Sequence, residues 1–320
     1  NKGAIANDVI YFSKDVNANR IIAYDQNLDR YVQINLLKSS GTIDAENNKV
    51  CFIADDKEIY CHDYDTEEAY ELPETFFNSK VIDGYDFVND DADPMDDHGH
   101  GTHVAATAAG NGILKGVAPD ANIVAYKVLN SKGRGSFENI IDAIERSVDP
   151  NQDGDFSDHL DILSLSLGAN CGGRYSEFCG PDDPSSQAID NAVSNGAIAI
   201  VAAGNDGPEE KSIGSPGTAR KAVTVGATFK RDNDVYQHQQ GDIDDLVYFS
   251  SRGPVSWGEQ IILKPDVVAP GVNICAAQWD NAFWWKDTNC NNDNNHVAIS
   301  GTSMATPIVS GAAALLKQAN

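Results

Sequence analysis

From Lys80 onward two apolar patterns alternate along the chain, and that alternation limits the fold more than any other feature. The runs NIVAYKVL, DILSLSLG, AIAIVAAG and AVTVGA are short, continuous and bounded by Gly, Asn or Asp. Strands buried on both faces of a parallel sheet read this way. Between them lie HVAATAAG, FENIIDAIERSV, SSQAIDNAVSNG and ATPIVSGAAALLKQ, which read as helices. In the second of these, Phe137, Ile140, Ile141 and Ile144 recur at helical spacing, with Ser136 placed as N-cap. Strands alternating with helices predict an α/β domain: a doubly wound, mostly parallel sheet with helices on both faces. Residues 1–75 follow a different pattern. VIYF, RIIAY and RYVQI are echoed by VCFI, EIYCH and AYEL, with Asp/Asn-rich turns between. This predicts a small antiparallel β segment of two three-stranded, repeat-like units. It carries no motif with a chemical mechanism. The expected division is therefore 1–75 and 76–320.

Charge narrows the partners. With 23 basic and 48 acidic side chains the formal net charge is −25, so nucleic acid would be repelled. No apolar run is long enough to span a bilayer; the longest, Gly196 to Gly204, falls well short. Six cysteines fall into close pairs, Cys51 with Cys61, Cys171 with Cys179 and Cys275 with Cys290. Three short disulfide loops and an oxidising, extracellular compartment are expected, although sequence alone permits other pairings and buried free thiols.

Three segments carry chemistry. In DDHGHGTHVAATAAG, His100 precedes a helical stretch, and an imidazole is suited to move protons near neutral pH. In SGTSMATPIVSG, Ser303 opens an apolar helix, which places its hydroxyl near the positive end of the helix dipole. In AIAIVAAGNDG, Asn205 ends a buried strand, where its amide can reach a crevice at the sheet's carboxyl edge. Taken singly, each has a bland reading: a turn histidine, an N-cap serine, a turn asparagine.

Together, HGTHVA at 100–105, SLG at 166–168, AAGN at 202–205, FSSRGP at 249–254, KPDVVAPG at 264–271 and GTSMATP at 301–307 resemble the subtilisin-like serine proteases, the subtilases. The resemblance implies a secreted endopeptidase with His100 as general base, Ser303 as nucleophile and Asn205 in the oxyanion hole. It implies that Ser166, Leu167 and Gly168 form one wall for an extended substrate, and that Gly133 and Gly135 form the other. Arg134 between those glycines reads first as a solvated side chain. Protein or peptide substrates are then the expected partners, with a propeptide or proteinaceous inhibitor as a further candidate.

The family's catalytic Asp, in a V-I-D-[ST]-G strand, has no match. Asp83 in KVIDG falls in the stretch between that Asp and the His, so the Asp strand is expected upstream of residue 1 and the 76–320 domain is expected to be incomplete at both ends. This leaves an alternative, a catalytically impaired subtilase acting as a binding module. A further expectation concerns cations. Asp149, Asn151, Asp153, Asp155 and Asp158 present oxygens at short intervals around Gly154, resembling the first half of an EF-hand loop, which suits a structural Ca2+. The glutamate expected at the twelfth position is replaced by Leu160.

Overall fold

The computed structural model describes the strands between residues 3 and 72 as backbone, and residues 80–319 apart from Asn233, 280–289 and 291–294. The chain divides into two compact units, Asn1–Phe76 and Phe77–Asn320.

The first unit holds two antiparallel four-stranded sheets. One runs in order through Gly3–Ala6, Val9–Asp15, Arg20–Asp25 and Arg30–Asn35, the other through Ser40–Glu46, Lys49–Ala54, Ile59–Asp63 and Glu68–Leu72. Each has one strand more than the sequence pattern indicated. The added strands, GAIA and SGTIDAE, are poor in the aromatic and β-branched residues that marked the others. The backbone register sets Cys51 opposite Cys61; the expected bond between them lies outside the described side chains.

In the second unit the alternating pattern becomes parallel sheet. Val81–Asp86 pairs in parallel with Ile123–Lys127. A four-stranded parallel sheet follows, in the order Ile162–Leu165, Ile198–Ala202, Val223–Thr228, Val267–Pro270. Within Ile198–Ala202, Ala199 and Val201 face one core and Ile200 the other, as strand alternation requires. The first core is covered by α2 (Phe137–Val148) and α3 (Pro184–Ser194), through Ile140, Ile144, Val148, Ile189 and Ala192. The opposite core takes Ala305, Ile308 and Val309 of α4 (Thr302–Ala319). Helices thus lie on both faces, as the pattern predicted. Each buried Val, Leu or Ile side chain stabilises this packing by about 1.5–3 kcal/mol. Ser136 caps α2, accepting from the Asn139 N–H at 3.0 Å. Phe137, read as a core position, is exposed, because it lies before the turns that reach the sheet.

The two parallel sheets share a core, since Tyr126, Val128 and Leu129 pack with Leu163 and Leu165. Among the described residues, however, no backbone hydrogen bond joins Ile123–Lys127 to Ile162–Leu165. The sheet is interrupted between these two strands.

Candidate active site

Helix α1 (His100–Ala109) starts without a side-chain cap from Gly99, which sits in the left-handed region at φ 96°. Asp96 replaces that cap. One carboxylate oxygen accepts from the His98 and Gly99 N–H groups at 2.9 and 2.8 Å, the other from the N–H and hydroxyl of Thr102, both at 2.7 Å. Burial disfavours the Asp96 charge, but these donors outweigh it and hold the carboxyl below its ordinary range. The sequence reading passed over Asp96. Its signal was an acidic residue just ahead of a helix start, a position that favours anions.

His100 is therefore set at a firmly tied helix start. Its imidazole is half-buried and makes no hydrogen bond among the described residues. Desolvation, followed by the neighbouring His98 and His103, pushes it down to about 4, with Asp96 acting in the other direction. Asp83 is not its partner: it lies exposed in the Val81–Asp86 strand and accepts from the Gly84 N–H at 2.8 Å.

The nucleophile candidate stands at the start of α4. Two contacts bring α1 and α4 together. The His103 ring lies 3.0 and 3.1 Å from the Ile274 and Val297 carbonyl oxygens, on the hairpin that feeds α4. Val104 packs with Met304, the residue after Ser303. The first turns of the two helices are thus neighbours. The Ser303 hydroxyl donates to the Ser166 carbonyl at 3.2 Å, and the Ser166 hydroxyl donates to the Ser303 carbonyl at 2.8 Å. Ser166 is buried, so its side chain steadies the Ser303 turn while its backbone holds the Ser303 hydroxyl proton.

Asn205 joins the same spot. Gly204, at φ +106°, turns the chain out of the buried strand with its α-carbon facing Ser251, where a Cβ would come within 2.8 Å of the hydroxyl. The Asn205 Oδ1 then accepts from the Thr302 N–H at 2.9 Å and the Thr302 hydroxyl at 3.0 Å. Because an N–H needs an oxygen acceptor, these bonds fix the amide orientation and leave Nδ2 as the donor beside the Ser303 turn. Ser303 is thereby bonded directly to Ser166, Asn205 is bonded to the adjoining Thr302, and the helix that begins at His100 packs beside them.

The two segments expected to form the walls are each tied into the fold. Beyond Leu167 and Gly168, Ala169 and Ser215 exchange backbone bonds of 2.8 and 3.0 Å. Asn170 reaches Asp206 at 2.7 Å, so this wall is tied to the strand end that carries Asn205. The Cys171–Cys179 disulfide closes the loop that follows, and Cys275–Cys290 bridges the region before α4. The Gly133 and Gly135 wall is a turn in which the Asn130 N–H donates to the Arg134 carbonyl at 2.9 Å.

The proposed calcium loop behaves differently. Asp149, Asn151, Asp153 and Asp155 each accept backbone N–H groups from within the loop, at 2.8 to 3.0 Å. Among the described residues no three His, Cys, Asp or Glu side chains converge as a ligand set. The oxygen donors suit calcium chemically, but in this arrangement they serve the turn. No helix among the described residues is long and apolar enough to cross a membrane.

The sequence model of the subtilase family matches residues 27–320. Serine protease AprX of Bacillus subtilis is 39% identical over 254 residues, covering 78% of this chain and 55% of the relative. The minor extracellular protease Vpr of the same organism is 44% identical over 173 residues, 51% of this chain and 20% of Vpr. The chain therefore spans about half of AprX and a smaller share of Vpr. Among solved structures, a cold adapted subtilisin-like serine proteinase matches with TM-score 0.55 and 30% identity, covering 75% of this chain and 69% of that one.

Proposed function

The chain belongs to the subtilase family, and from that premise we propose that it is a secreted serine endopeptidase acting through an acyl-enzyme on Ser303. The observation that carries the reading is the meeting of three chemically distinct groups around the start of α4: the Ser303 hydroxyl, the Asn205 amide and the helix bearing His100. Serine is a weak nucleophile until a base takes its proton. His100 supplies the base, neutral at pH 7 and therefore able to accept. As the carbonyl carbon becomes tetrahedral, its oxygen gains charge, which the Asn205 Nδ2 and the Ser303 N–H stabilise. Peptide substrate lies extended between the 166–168 and 133–135 walls, bonded mainly through its backbone.

Among the described residues no carboxylate is hydrogen-bonded to the His100 imidazole, and an imidazole held by none is a poorly oriented base. We place an orienting Asp on a further strand docked between Ile123–Lys127 and Ile162–Leu165, where the sheet is interrupted. That same gap favours the second reading, an impaired subtilase that binds peptides without cleaving them. A fluorophosphonate probe separates the two. Labelling at Ser303 that disappears in Ser303→Ala, together with casein hydrolysis by the longer protein, supports the protease. Peptide binding without labelling supports the alternative. The extracellular setting printed in the name of Vpr fits the two disulfides among the described residues. Calcium at the 149–158 loop rests on its donor chemistry alone. A fall in Tm on adding EDTA, reversed by Ca2+ and absent in Asp149→Ala/Asp153→Ala, would support it.

A further inference from the structure

The chain carries a net charge of −25, yet one wall of the groove presents basic groups. The turn 130–135 is rigid for its length. Gly133 donates to the Asn130 carbonyl at 2.7 Å, and the Asn130 side chain accepts from the Lys132 and Arg134 N–H groups at 2.9 and 3.2 Å. Gly133 holds a left-handed φ of +68°, and a Cβ built there would lie 3.0 Å from the His98 Nε2. The His98 ring therefore rests on the backbone of this wall. On its other side it faces His100, with ring centroids 6.4 Å apart.

Lys132 and Arg134 are exposed, and neither forms an ion pair with a carboxylate among the described residues. The acids on the facing loop are engaged elsewhere. Asp96 serves the start of α1, and Asp97 is bound by Lys127 at 2.9 Å. Glu138 lies beyond the wall, in the first turn of α2.

Extended peptide alternates its side chains. A peptide lying between the two walls with its scissile carbonyl at Ser303 therefore presents alternate side chains to opposite walls, and on the side of His100 the 130–135 turn is joined to the base through the His98 ring. We propose that His98, Lys132 and Arg134 form a basic subsite that selects a carboxylate side chain on the substrate residue immediately before the acyl residue. This rests on the protease reading and refines it from peptides in general to peptides with an acid at that position.

The test uses the full-length protein and peptides identical except for Glu, Gln or Lys at that position. Glu is expected to exceed Gln in kcat/KM by about fivefold at low ionic strength, with Lys lowest. The advantage should shrink as salt screens the charges. In His98→Asn/Lys132→Gln/Arg134→Gln the Glu-to-Gln ratio should fall to about one. Hydrolysis of all three peptides at equal rates by the unaltered protein overturns the subsite but leaves the protease reading standing. So does a Glu advantage that is insensitive to salt or survives the triple substitution. Failure of every peptide, with no fluorophosphonate labelling of Ser303, overturns both.

Discussion

Asn205 shows how much a single side chain's orientation decides. Its oxygen is committed to Thr302, so its nitrogen is committed to the nucleophile's side. Asn205→Ala removes a donor needed only once charge develops. It should lower kcat by about 10²–10³ while KM changes little, as measured by steady-state hydrolysis of a chromogenic peptide. An equal loss in KM with kcat preserved would mean that the amide binds ground-state substrate instead. The His100 imidazole permits a test in pH. A base works when deprotonated, so reaction at Ser303 is present above its pKa and lost as pH falls through it. Held down to about 4 by burial and by His98 and His103, the imidazole in this span should give fluorophosphonate labelling with its acid limb near that value. A carboxylate beside the ring would raise the pKa and move the limb upward. Longer protein whose limb coincides with that of this span would argue against a docked Asp. The segments that hold Ser303, Asn205 and the α1 start were legible in the sequence, because each is short and its neighbours set its local geometry. Ser166 was legible only as a wall. Its bonds to Ser303 span 137 positions, and no local pattern reports them.

At the level of elements, helix starts repeat one solution. α2 is capped by Ser136, which the local pattern foretold, whereas α3 is capped by a buried acid with a longer reach. Asp183 accepts from the Ser186 N–H at 2.9 Å, and also from the hydroxyls of Ser185, Ser186 and Ser215. Asp-Pro is a readable N-cap and N1 pair. The tie to Ser215, beside the substrate wall, was not readable, because it depends on how two distant loops fold onto each other. Burial opposes the Asp183 charge, yet the donors win and its pKa is lowered. A carboxyl lowered in the folded state stabilises above the unfolded value, about 3.9, and loses that contribution as pH falls through the folded pKa. Tm should therefore drop on acidification below about pH 4, and less steeply in Asp183→Asn. At neutral pH, Asp183→Ala should destabilise by about 2–4 kcal/mol, since the cap is lost and buried hydroxyls are left without their acceptor. Urea unfolding measures it, and a change under 0.5 kcal/mol (roughly the size of an ordinary surface substitution) would remove the network from the list of what holds this wall.

For the molecule as a whole, the interrupted sheet has the largest consequence. Alternating apolar runs announced a doubly wound sheet, but strand order is a long-range property, and no run reported that its neighbour in sequence would not be its neighbour in the sheet. Ile123–Lys127 and Ile162–Leu165 share a core through Tyr126, Val128, Leu163 and Leu165, yet do not bond to each other. An edge strand in a parallel sheet leaves alternate backbone groups unpaired, and burying them without partners costs about 1–3 kcal/mol each. Two such edges facing one gap are poised to accept a strand that satisfies both. A strand there would emerge among the other carboxyl ends, where open α/β sheets place their reactive groups. An Asp at its end would then stand on the same edge of the sheet as Asn205, which follows the strand Ile198–Ala202. Two measurements must therefore move together. In longer protein that supplies the strand, the amides of Val124, Tyr126, Ile162 and Ser164 should exchange with deuterium more slowly than in residues 1–320, because those N–H groups face the gap and gain partners. Turnover on the same peptide should rise by about 10⁴, the loss recorded when a triad loses its carboxylate. Slower exchange without faster turnover would mean that the strand completes the sheet but carries no working acid. Faster turnover without slower exchange would mean that the acid arrives by another route.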